Sequence, residues 1–194
     1  MKFTPEDFAE AITHRLFKNN TTDEIALARI QYGLSIIIGI TLELFAAILI
    51  SLPLGITIYT LIIMMAALSF RLFSGGAHLT SYMRCLIFTL IYFLPFSALI
   101  KFLYHNYPSV FMLKASIALM ALLFLLMFKK RIYLNIAFLL NLIILSALIL
   151  YPHAFTASIS LAMSTGLFLQ TITTSKFGDK AINFVDLRMK NIGL

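Results

Sequence analysis

Six apolar stretches follow one another along the 194-residue chain, over residues 30–52, 54–70, 82–103, 110–128, 132–151 and 154–171. Each is close to the ~20 residues that an α-helix needs to cross the hydrocarbon core of a bilayer. None alternates polar and apolar residues with a period of two, so a membrane β-barrel is excluded and helices remain. Apolar side chains make up 61% of the chain and charged ones 12%. A soluble globule of this size has too much surface to hide such an excess. A disordered chain is excluded by the same figures, and a disulfide scaffold by the single cysteine. The sequence predicts an all-α polytopic membrane protein with about six transmembrane helices, built as a single membrane domain over residues 1–194. The second stretch is the shortest and reads as a tilted or partly re-entrant segment.

The formal charge of +7 would suggest a nucleic-acid partner in a soluble protein. Here its distribution explains it better. With an even number of spans, both termini share one side of the membrane with the loops around residues 71–85 and 129–131. That side carries 13 of the 15 lysines and arginines. Basic residues collect on the cytoplasmic side of a membrane protein. Both termini and the 71–85 segment are therefore expected in the cytosol, and the charge reports topology rather than nucleic-acid binding.

The two ends of the chain read as surface structure. Glu6, Asp7 and Glu10, with no apolar run before residue 30, do not resemble a cleavable secretory signal. Thr4-Pro5-Glu6-Asp7 opens a helix with a cap, a first-turn proline and acids at the positive end of the dipole. Phe8, Ile12 and Leu16 then recur every four residues, as in an amphipathic helix lying on the cytosolic interface. Thr21-x-x-Glu24 has the form of a second cap, so residues 1–29 are expected to hold interfacial helices. The tail, 172–194, sets Phe177, Ile182, Phe184, Val185 and Leu187 among charges and also suits the interface.

Chemistry concentrates between Arg71 and Cys85. The segment holds the sole cysteine, one of four histidines and the one Gly-Gly pair. A thiol and an imidazole are the minimum for a cysteine nucleophile with its general base. The imidazole takes the thiol proton, and a neighbouring cation such as Arg84 would favour the thiolate. Gly75 and Gly76 could turn their N–H groups into a nest for an oxyanion. Seven residues of straight helix would hold His78 about 10.5 Å from Cys85, too far for a hydrogen bond. His78 must then sit in a loop folded back over the head of the third span, or meet the thiol of a second subunit in a homodimer. The plainer alternative is a cysteine that packs as a small apolar residue beside a solvated histidine. One Cys and one His without a nearby carboxylate do not fill a metal site, and no cofactor motif is present.

Arg71, Gly75-Gly76, His78 and Cys85, at these spacings, resemble the signature of the accessory gene regulator B (AgrB) family. Tyr32-Gly33-Leu34, the chain length and the span count are similar to that family too. The pattern departs from it at Ala77, where an aromatic is common, and in the short basic run at residues 129–131. The resemblance implies an integral-membrane cysteine endopeptidase of peptide quorum sensing, in a bacterial plasma membrane. It would cleave the C-terminal tail from a short precursor peptide through an acyl-enzyme thioester and promote closure of a (thio)lactone ring. His78 and Cys85 match the catalytic pair, and Arg71, Gly75 and Gly76 the supporting motif.

Glu43 is the one acidic residue between positions 25 and 178. A carboxyl inside a span is a functional candidate by default. Counted from residue 30 it lies about 20 Å along the helix, which places it too deep to orient His78. It reads as a packing group or as part of a substrate cavity. Gln31 and Gln170, near the cytosolic ends of spans one and six, are better placed as an orienting third group. A rival reading is a small membrane carrier or exporter, without peptidase activity, whose Glu43, Asn141 and Gln170 line a polar path.

Overall fold

The computed structural model describes residues 4–17, 23–74, 79–128, 136–150 and 153–193, and these form eight α-helices with no strand among them. α1 (Pro5–Phe17) begins with the expected cap: the Asp7 N–H donates to Thr4 Oγ1 at 3.3 Å and the Thr4 N–H to the Asp7 carboxylate at 3.2 Å. Its stripe of Phe8, Ile12 and Leu16 stays exposed, while the adjoining row of Pro5, Ala9 and Thr13 is buried. That row of small side chains lets α1 lie close along α2 (Glu24–Leu54). α2 starts on Asp23, which accepts from the Ile25 N–H; Thr21 of the expected cap lies outside the described residues. It stops at Gly55, whose φ of 62° suits glycine, and Lys101 Nζ donates to the Leu54 carbonyl at 2.8 Å.

α3 (Thr57–Ser74), α4 (Tyr82–Asn106), α5 (Ser109–Phe128), α6 (Ile136–Leu150) and α7 (Ala154–Thr173) fall on the remaining apolar stretches, and α8 (Lys176–Asn191) closes the chain. Among the described residues four helices, α2, α4, α5 and α7, are long and apolar enough to cross a membrane. α3 and α6 are apolar but shorter. The second stretch is thus short as expected, and the fifth shortens to α6, since 132–135 and 151 lie outside the described residues.

α7 is the central post. Of its apolar window 67% is buried, against 11% for α2. Ala157, Ser158, Ser160, Ala162, Ser164 and Gly166 keep it narrow, so neighbours pack close on several sides. The tightest approach is to α3: a Cβ at Gly166 would run into the Ile63 carbonyl oxygen and stand 3.0 Å from Ala66 Cβ. On the α5 and α6 side, Ser116, Asn141, Ser160 and Ser164 close a buried network with contacts of 2.7–2.8 Å. Apolar packing fills in around these lines, with Ile63, Met64, Phe93, Met112 and Leu161 in one cluster and Phe70, Leu123 and Leu167 in another.

α3 and α7 run parallel: Ser158 Oγ donates to the Tyr59 hydroxyl at 3.3 Å near their starts, and Arg71 and Gln170 line one cavity near their ends. Because an added side chain at Gly166 meets backbone, it cannot be absorbed by a rotamer change. Gly166→Leu should therefore push α7 off α3, at a cost of about 1–3 kcal/mol or more. A lower melting temperature in detergent, larger than that of Gly33→Leu in open space, checks this.

Candidate active site

Cys85 sits in the first turn of α4, partly exposed, with its N–H donating to the Ser81 carbonyl at 3.0 Å. One turn on, Thr89 lies on the same face of the helix, with its hydroxyl near the thiol. The Glu43 carboxyl of α2 also lies near the thiol. The Arg71 guanidinium, from the last turn of α3, lies close enough to act on both charges. Glu43, Arg71, Thr89 and the buried Gln170 line a cavity of about 50 Å³, closed by Ile40, Leu44, Met64, Ala67, Leu68 and Phe93. Such a volume has room for roughly three or four water molecules.

The register between α2 and α4 explains how these groups meet. Gly39 and Glu43 are one turn apart on a single face of α2, as Tyr82, Cys85 and Thr89 are on α4. The Tyr82 hydroxyl donates to the Gly39 carbonyl at 3.1 Å, and its ring packs over Gly39, where a Cβ would already touch it at 3.4 Å. This contact sets Gly39 level with the head of α4 and brings Glu43 to Cys85.

The depth expected for Glu43 is thereby corrected. Counting from residue 30 assumed that α2 enters the bundle at the start of its apolar run. Instead the early turns of α2 pair with α1, and its first buried residue is Gly39. The helix overshoots the head of α4, so Glu43 lies beside the thiol. Arg84 is also corrected: its guanidinium turns to Asp186 of α8, with an ion pair at 3.4 Å, and Arg71 takes the place beside Cys85. Gln170 joins the cavity as a lining residue, whereas Gln31 lies twelve residues before Glu43, about 18 Å back along α2, and does not line it. Gly75, Gly76 and His78 lie outside the described residues. The chain from Leu79 to Ser81 is not helical, and α4 starts at Tyr82. Asn141 is held by Ser160 and Ser164 at 2.7–2.8 Å and does not line the cavity with Glu43 and Gln170. Thr89 was not singled out from sequence, although its place four residues after Cys85 on a helix carried the signal.

The family model for accessory gene regulator B matches residues 9–174. The chain belongs to the AgrB family. No curated protein and no solved structure matches it. The matched stretch holds Glu43, Arg71, His78, Cys85 and Gln170, and it ends before α8. Membership of the AgrB family is consistent with processing of a quorum-sensing peptide, and the apolar helices with a membrane protein.

Removing the Arg71 charge leaves the Glu43 carboxyl without its countercharge in a mostly apolar site. Arg71→Gln should lower the melting temperature, and adding Glu43→Gln should restore part of the loss. A double-mutant cycle should give a coupling of about 0.5–3 kcal/mol. Strict additivity would show that the two groups do not interact.

Proposed function

We propose that this AgrB-family chain is an integral-membrane cysteine endopeptidase that removes the C-terminal tail of a short precursor peptide and promotes cyclisation of the remainder to a (thio)lactone signal. One observation carries this reading: the chain's sole thiol lies within electrostatic reach of Glu43 and Arg71, two ionisable groups that line one cavity with Gln170. A cysteine serving only as a small apolar residue has no need of such company. Family membership supports the substrate class.

In this reading His78 takes the Cys85 proton and the thiolate attacks the scissile carbonyl. N–H groups at Gly75 and Gly76 hold the oxyanion. As it collapses, the C–N bond breaks, His78 protonates the leaving amine, and the tail departs. The thioester left on Cys85 then passes to a thiol or hydroxyl within the substrate, which closes the ring and returns the thiol. Turning an amide into a thioester is uphill, so loss of the tail must draw the first step forward. The second step, for a thiol, trades one thioester for another and needs little driving force. Water competes for the acyl-enzyme, and a site at the edge of the bilayer helps to exclude it. Glu43 and Thr89 fix the thiol, and Arg71 offsets the Glu43 charge.

Orientation follows the basic residues: the termini and the 71–85 segment face the cytosol, the side on which a newly made precursor is found. Cysteines introduced at Ser51 or His153, in a Cys85→Ala background, should react with impermeant thiol reagents in intact cells. Those at Ser74 or Lys130 should react only after permeabilisation; outside labelling at Ser74 would reverse the orientation.

Cys85→Ala should abolish tail release, measured by mass spectrometry in proteoliposomes with candidate precursor peptides, while insertion and peptide binding persist. His78→Ala should be nearly as severe at neutral pH but regain rate as pH rises, because hydroxide replaces the base. Cys85→Ala should not recover at any pH. Cleavage by Cys85→Ala at the wild-type rate would sink the peptidase assignment.

A further inference from the structure

α4 begins on Ser81, yet the Ser81 side chain makes no capping hydrogen bond. The head of the helix is held from elsewhere. Asp186, on the buried face of α8 with Gly178 and Ile182, reaches across to it. One carboxylate oxygen accepts from the Thr80 N–H at 3.3 Å and the other from the Thr80 hydroxyl at 2.8 Å. Arg84 completes the cluster: Nη1 pairs with the Asp186 carboxylate at 3.4 Å and donates to the Asp186 carbonyl at 3.3 Å, while Nη2 donates to Thr80 Oγ1 at 2.6 Å. Asp186 is 8% exposed and Arg84 7%, so the cluster is largely shielded from solvent and its bonds are weakly screened.

The placement of these bonds bears on the reaction. Thr80 stands two residues after His78, and Arg84 immediately precedes Cys85. A single carboxylate thus grips the chain at both ends of the short stretch that links the proposed base to the nucleophile. A bond serving stability alone could lie anywhere along α8; this one fixes the segment whose shape decides whether the imidazole meets the thiol. The family match ends at residue 174, so the α8 contribution is not part of what the family model describes.

We propose that Asp186 is a positioning residue for the reaction: by clamping Thr80 and Arg84 it sets the chain between them so that His78 can take the Cys85 proton. This rests on the peptidase reading. Asp186 is not a catalytic residue, since it touches neither the thiol nor any reacting atom. The tail helix then serves as a brace for the catalytic segment, which an interfacial helix lying free on the lipid surface could not do.

The test uses the full-length protein in proteoliposomes, with iodoacetamide as the probe and Cys85 as its sole target. In the wild-type background, His78→Ala should slow alkylation at about pH 7 by about tenfold or more. Asp186→Ala should slow it comparably, and the Asp186→Ala/His78→Ala pair should be no slower than His78→Ala alone, because both remove one function. All three should regain rate as pH is raised to about 9.5, where the base is bypassed. Asp186→Glu should restore the rate to within about threefold of wild type. Should Asp186→Ala strand Arg84 and prevent folding, Arg84→Met/Asp186→Leu replaces the buried pair by apolar groups, loses the Thr80 clamp and should show the same slow, pH-rescued alkylation. Wild-type alkylation by a folded Asp186→Ala or Arg84→Met/Asp186→Leu protein, with His78→Ala slow, overturns the positioning role and leaves the peptidase reading standing. Alkylation unaffected by His78→Ala itself overturns that reading, and the positioning role with it.

Discussion

The bundle depends on how closely α3 and α7 approach at Gly166. Lipid tails are as apolar as leucine, so burial supplies little force between helices in a membrane, and close packing with local hydrogen bonds must serve instead. The α7 surface of alanine, serine and glycine provides that, and at Gly166 it brings the backbones nearly into contact. Gln170 follows one turn later on α7, and Arg71 follows Ile63 by about two turns on α3. The contact that holds the helices together thus also sets two polar walls of the cavity. α2 and α4 form a second parallel pair, registered by Gly39 and Tyr82, and supply Glu43 and Cys85.

An ionisable side chain among apolar helices is tolerated where partners are at hand. Glu43, Arg71 and Cys85 come from three helices and Gln170 from a fourth, so only the tertiary fold brings the four together. The buried Ser116–Asn141–Ser160–Ser164 network differs in kind. Its members satisfy one another, which suits joining helices rather than binding a ligand.

Hydropathy alone disclosed the helices, because lipid leaves a spanning chain no alternative that satisfies its backbone. Within the 71–85 segment, Arg71 and Cys85 could be singled out because they are close in sequence, and the structure brings them to one place. What sequence could not supply was the register of one helix against another. Glu43 was misplaced because depth was counted along a single helix from its first apolar residue, whereas the Gly39–Tyr82 contact decides the level at which α2 meets α4. The same limit applied to Arg84. Its neighbour in sequence is Cys85, but a side chain one position on along a helix points about 100° away, and Asp186 lies there. An amphipathic tail gave no sign that one of its acids faces inward to a partner 106 residues earlier.

The size of the cavity constrains how the proposed chemistry proceeds. About 50 Å³ admits water but no peptide, so the pocket lined by Glu43, Arg71, Thr89 and Gln170 is not itself a substrate groove. In the proposed reaction the groups of that cavity act on the thiol, whereas the base is carried by the chain before Thr80. That division separates two tasks: holding the nucleophile, assigned to Glu43, Thr89 and Arg71, and shaping the chain that carries the base, assigned to Asp186. A residue of the first kind changes the thiol whatever the base does. One of the second kind changes it only through His78, and this difference makes the two roles separable by experiment.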